Sequence, residues 1–162
     1  MFAHAMSYRN SFFYGYTNGD ILFCDELVKN LLSIKAAVDG GAIRDRVLVV
    51  GQRYNVEMGA MSQQRGNVIT DAASADTVFH KLLKSAKAFQ TDAEDYFIAT
   101  KGAFPWTTDA IPALVVGRLA YDNWIVDWAV HHEVETIDAS KTIHAVHQTG
   151  GDGNMAGHSK TK

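Results

Sequence analysis

Val47-Leu48-Val49-Val50-Gly51 is a continuous apolar run in which every side chain needs cover. A run of this kind belongs to a strand buried on both faces of a sheet, so other elements must pack above and below it. What precedes it supplies one such layer. Asp25-Glu26 suits the N-terminus of a helix. Leu27, Leu31, Ile34 and Val38 follow at i, i+4, i+7 and i+11, and Gly40-Gly41 suits its stop. Before that helix, SFFYGYTNGDILF reads as an aromatic-rich strand broken at Asn18-Gly19-Asp20. Strand, helix and buried strand joined by short connections predict an α/β fold, with a mixed, mostly parallel sheet flanked by helices.

The remainder of the chain fits that frame. Phe2, Ala5 and Met6 have helical spacing at the start, and Gln52 to Ala73 is polar and reads as a long surface excursion. Ser74 is placed to cap a helix carrying Val78, Leu82 and Phe89. Tyr96-Phe97-Ile98-Ala99 reads as a strand, Gly102 to Pro112 as a loop, and Leu114-Val115-Val116 as an extended segment leading into a third helix. On that helix Tyr121, Trp124, Ile125, Trp128, Ala129 and His132 fall on one stripe, which is a core face in preference to a ligand platform. Glu135 to Gln148 reads as two short strands around Asp138-Ala139-Ser140. Residues 150–162, rich in glycine, are expected to form a loose tail after a domain of residues 1–149.

Composition narrows the function classes. At 162 residues and 47% hydrophobic content, with 8 Phe, 6 Tyr and 3 Trp, the chain can bury one substantial core. A formal net charge of −3 gives no basic footprint for nucleic acid. The single cysteine, Cys24, excludes an intrachain disulfide framework and any zinc site built from several thiolates. Beside Asp25-Glu26 its thiolate is disfavoured, so it reads as a small core residue. No apolar run approaches the ~20 residues of a membrane span. Phosphate loops with Lys-Ser/Thr, G-x-S-x-G and H-E-x-x-H are all missing from the sequence.

Three groups of residues can carry chemistry. Asn18-Gly19-Asp20 ends an apolar strand, where α/β sheets bind ligands, although the same triplet makes a good turn. Asp122 falls in the first turn of the third helix, where the helix N-terminus favours a carboxylate. It is either a base or a group satisfying that helix's own N–H donors. Among the histidines, His144 and His147 are three apart and face opposite sides of a strand, so they cannot share an ion. His131 and His132 fail likewise, about 100° apart on a helix. One histidine at most joins a shared site, and His147, at the end of the last strand, is the candidate; the alternative is a hydrogen-bonded core residue.

Taken in order, TNGDILFCDELVKNLLSI, RVLVVGQRYNVE, DYFIATKGAF, IPALVVGRLAYDNWIVDWAV and VETIDASKTIHAVHQ resemble the blocks of a family of nucleotide-diphospho-sugar transferase-like proteins with the GT-A fold. The resemblance runs from about Phe2 to Gln148. It is most specific at Gly117-Arg118, at Asp122-Asn123-Trp124 and at His147-Gln148. It implies transfer of a sugar from a nucleotide-sugar donor to a hydroxyl acceptor, assisted by Mn²⁺ or Mg²⁺. Asn18-Gly19-Asp20 takes the place of the D-x-D motif, with Asp20 and His147 as metal ligands and Asp122 as the acceptor-activating base. Asn18, Arg53, Asp95, Arg118, Asn123 and Trp124 fall on the substrate side, the two arginines as forks for phosphate or carboxylate. Asp95 and Trp124 read equally well as a strand-end polar residue and a core aromatic.

Two departures qualify what the resemblance implies. Asn18 stands where the motif has its first carboxylate, which weakens metal affinity. The chain also opens on the helix just before the D-x-D strand. It therefore matches the metal and acceptor half of a partial, Rossmann-like GT-A domain and lacks the nucleotide half. The alternative is a catalytically inactive remnant, or a truncated frame, that works as a binding or interaction module and self-associates through exposed sheet edges.

Overall fold

The computed structural model describes residues 2–57, 71–89, 94–105, 111–112 and 121–149. In chain order these form α1 (Phe2–Tyr8), β1 (Phe13–Thr17), β2 (Ile21–Leu22), α2 (Glu26–Asp39), β3 (Val47–Gly51), β4 (Arg53–Glu57), α3 (Ala72–Ser85), β5 (Lys87–Ala88), β6 (Tyr96–Thr100), α4 (Tyr121–His131), β7 (Glu135–Asp138) and β8 (Ala145–Thr149). The expected strand at Leu114-Val115-Val116 and the tail 150–162 lie outside the described residues.

The protein is a mixed α/β structure, and its sheets differ in direction from the expectation. One sheet has the order β1-β6-β3-β7 and the other β2-β8-β4-β5. Only the β3–β7 and β4–β8 pairings are parallel; β1–β6, β3–β6, β2–β8 and β4–β5 are antiparallel. The sheets are therefore not mostly parallel. The cause is β6, which inserts between β1 and β3 and runs against both. β1 and β3 still point the same way, as a strand–helix–strand unit requires, but they are not neighbours.

The apolar run is β3, and all five of its residues are buried. Its side chains alternate between two cores, as the period of a strand dictates. Leu48 and Val50 pack with Phe2, Phe97 and the α4 residues Ile125 and Ala129. Val47 and Val49 pack on the other side with Tyr96, Ile98 and Ile143, and there Leu27, Leu31, Ile34 and Val38 of α2 close the layer. The α2 stripe thus lands where its spacing points. Gly41, at φ 71°, ends that helix, and the Ala42 N–H returns to the Ala37 carbonyl. A smaller core of Cys24, Val56, Phe79, Leu82 and Val146 lies under α3. That helix is capped by Asp71, with Ser74 as its partner in a capping box, so the cap falls three residues before the expected one.

β4 is the main element the reading misses. Arg53 to Glu57 was expected in a surface excursion, yet it pairs with β8 from Arg53↔Ala145 to Glu57↔Thr149. Its alternation is nevertheless present in the sequence: Val56 is buried under α3, while Arg53 and Asn55 share the opposite face.

At the end of β3, Gly51 pairs with Tyr96. The fully buried Tyr96 ring crosses it and donates its hydroxyl to the Ile143 carbonyl at 3.1 Å. A Cβ at position 51 would overlap that hydroxyl and its ring carbons. Gly51→Ala is expected to lower unfolding stability by about 1–3 kcal/mol, the usual cost of overpacking a core. Urea denaturation checks this, and an unchanged midpoint would refute the close approach.

Candidate functional site

The candidate site follows from how the two sheets join. Three segments pass from the first sheet into the second: β1 to β2 across residues 18–20, β3 to β4 across Gln52, and β7 to β8 across residues 139–144. At such a seam the ladder is interrupted, so side chains must satisfy the backbone. Asp95, just ahead of β6, does this. Its N–H bonds the Gly51 carbonyl at 2.9 Å, and its Oδ2 accepts the Arg53 backbone N–H at 3.1 Å. Its Oδ1 accepts the Arg53 guanidinium at 2.5 Å. Both side chains are largely buried, and the Phe89 ring lies 4.0 Å from the guanidinium carbon.

From Arg53 the contacts continue into the second sheet. The Arg53 Nε–H donates to Asn55 Oδ1 at 3.1 Å, and the same oxygen lies 3.0 Å from His147 Nδ1. Asn55 and His147 are direct register partners, and Ile21 flanks His147 on its other side. The residue before Ile21 is Asp20, whose Oδ2 lies 3.4 Å from His147 Nε2. His147 is 1% exposed in its side chain, whereas Asp20 is 42% exposed. The network Asp95–Arg53–Asn55–His147–Asp20 therefore runs from the interior to an open carboxylate.

Further acids border the same edge. Burial pushes the Glu94 carboxyl up, and the carboxylates of Asp122, Asp138 and Asp95 push it further. Burial also pushes the Asp95 carboxyl up, against the pull of the Arg53 charge and its hydrogen bonds. Asp138 goes the other way, because the Ser140 hydroxyl and N–H both donate to its Oδ1, at 2.5 and 2.9 Å.

Asp20, His147, Arg53 and Asp95 thus come together in one network. Asp122 sits in the first turn of α4, where its Oδ1 accepts the Asn123 N–H at 3.1 Å and its charge reaches Glu94. Asn18 accepts the Tyr16 hydroxyl at 3.2 Å, and the Tyr16 ring meets Tyr121 edge-on at 6.4 Å. Asn123 is exposed, while Trp124 packs against the core beside Trp128. Arg118 lies outside the described residues. His144 turns to Glu26 at 2.7 Å and takes no part in the network. Asn55, Glu94 and Asp138 were not singled out from sequence; for Asn55, the alternation of β4 is the signal that finds it.

No family model, curated protein or solved structure matches this chain.

Asp138 gives a pH test of the edge. Its folded pKa is depressed, so its contribution to stability is present above the ordinary value of 3.8 and is lost as pH falls through the folded value. Ser140→Ala removes the hydroxyl donor and weakens that contribution. The stability gap between wild type and variant should be largest at neutral pH and narrow in the acid limb below about pH 4, down to the constant part left by the lost Gln52 N–H bond to the Ser140 hydroxyl. Denaturation midpoints across this range check it, and a gap independent of pH would refute the role of the hydroxyl.

Proposed function

We propose that this edge is the metal and acceptor side of a GT-A-like glycosyltransferase, in which Asp20 and His147 hold Mn²⁺ or Mg²⁺ against the diphosphate of a nucleotide sugar. The single observation that carries the reading is the pair Asp20 Oδ2 and His147 Nε2 at 3.4 Å, brought to the seam from two strands. Two donors each about 2.1 Å from one ion stand about 3.0–3.4 Å apart, so the spacing fits a shared cation. A carboxylate oxygen with an imidazole nitrogen suits Mn²⁺ or Mg²⁺. Among the described residues no group of three or more His, Cys, Asp or Glu gathers at ligand spacing. A site with few protein ligands is the kind that completes its shell with substrate phosphates and water.

When bound, such an ion neutralises the charge that develops on a diphosphate leaving group. The protein's own contribution is at Asp122, which would accept the proton of the acceptor hydroxyl as that oxygen attacks the anomeric carbon. Arg53 is committed to Asp95 and Asn55, so the reading assigns it to the framework and not to the substrate phosphates.

A second reading, a binding module without transfer, is favoured by one observation: Asn18, in the place of a metal-binding carboxylate, is engaged by Tyr16 within the fold. Among the described residues no helix is long and apolar enough to cross a membrane. Self-association through the sheet edges belongs to this second reading.

Thermal unfolding with Mn²⁺ and a panel of nucleotide sugars tests both. Saturation at about 100 times Kd corresponds to about 2.7 kcal/mol of stabilisation. Wild type should be stabilised and Asp20→Ala should not; equal shifts in both, or none in either, would sink the proposal. Asp122→Asn should keep the shift and lose about 10²–10⁴-fold in transfer rate. Stabilisation without transfer by the wild type would favour the binding module.

A further inference from the structure

We infer that Asn55 and Arg53 are positioning residues that fix the tautomer of His147, and through it the nitrogen presented to the cation. The inference rests on the metal reading above. The hydrogen-bonding partners determine the proton positions one after another. The Arg53 Nε–H can only donate, so the Asn55 atom 3.1 Å from it is the amide oxygen. That oxygen can only accept, so His147 Nδ1, 3.0 Å away, carries the hydrogen. Of the two neutral tautomers the Asn55 bond selects Nδ1–H, which leaves the lone pair on Nε2; that nitrogen and Asp20 Oδ2 then face each other as two acceptors 3.4 Å apart, an arrangement that a cation between them relieves.

The backbone makes this arrangement rigid. Asn55 lies directly opposite His147 in the parallel β4–β8 ladder, and Arg53 is two residues earlier on the same face of β4. The guanidinium is held at its far end by Asp95 and stacked over Phe89. The amide of Asn55 thus cannot rotate its NH₂ toward His147 without facing one donor with another. A histidine that ligates through one ring nitrogen is commonly oriented by an acceptor on the other. Here that acceptor is a side-chain amide, itself oriented by a buried ion pair.

Two-bond ¹⁵N–¹H NMR of the histidine rings, recorded at about pH 8, above the ordinary histidine value, reads the tautomer directly. Wild-type His147 should show a protonated Nδ1 and an unprotonated Nε2. Asn55→Leu removes the acceptor at similar volume and should shift the ring toward Nε2–H; Asn55→Asp keeps an acceptor and should restore Nδ1–H. Mn²⁺ titration on the same samples should show about 10–100-fold weaker affinity in Asn55→Leu than in wild type, with Asn55→Asp recovering it.

An Nε2–H ring in wild type overturns the inference even if neither variant folds. Retention of both Nδ1–H and full Mn²⁺ affinity in Asn55→Leu overturns it as well. If wild type shows Nδ1–H and no Mn²⁺ response, the metal reading fails alone, and the variant spectra still decide whether Asn55 sets the tautomer.

Discussion

The bond between Arg53 and Asp95 is the constraint on which the seam depends. β3 and β4 are nearly continuous in the chain but belong to different sheets, and Asp95 joins them. It bonds the last residue of β3, the first backbone N–H of β4 and the first side chain of β4. Burying such a pair is costly in itself, and removing one partner costs about 3–5 kcal/mol because the other charge is left uncompensated. A hydrophobic pair could close the same gap, but it could not direct an N–H at Asn55. The ion pair therefore links the fold to the site.

Beyond that pair, the network passes through half-buried groups to a buried ring and ends at the surface. Asp95 and His147 are buried, Arg53 and Asn55 are half-buried, and Asp20 is exposed. Enclosed groups lose little freedom when a ligand arrives, which is the condition for a preorganised site. The Ser140 hydrogen bonds pull the Asp138 carboxyl down, whereas burial and neighbouring acids push Glu94 up.

Much of this was legible in the sequence where the information is local. The continuous run of β3, the spacing of α2, the stripe of α4 and the break at Asn18-Gly19-Asp20 are properties of short windows, and each has its counterpart in the structure. Sheet direction was not legible, because it depends on where β6 inserts, and that is a contact between distant segments. The site divides in the same way. Asp20, just ahead of β2, can be singled out by position, whereas His147 lies in the middle of β8 and not at the strand end expected of it. The commitment of Arg53 to Asp95 is invisible from sequence, since the partners are 42 residues apart and an arginine reads as a ligand fork until its partner is known. Asn55 was hidden because polarity in its segment outweighed a two-residue alternation.

The proposed metal site requires Asp20 and His147 to share one divalent ion. Pulsed EPR on the Mn²⁺-loaded protein tests it most directly, because a coordinated imidazole nitrogen leaves a hyperfine coupling that bulk Mn²⁺ lacks. A shared ion should give coupling to a single histidine nitrogen in wild type and lose it in His147→Gln. A Mn²⁺ signal without nitrogen coupling, or one unchanged in His147→Gln, would contradict it.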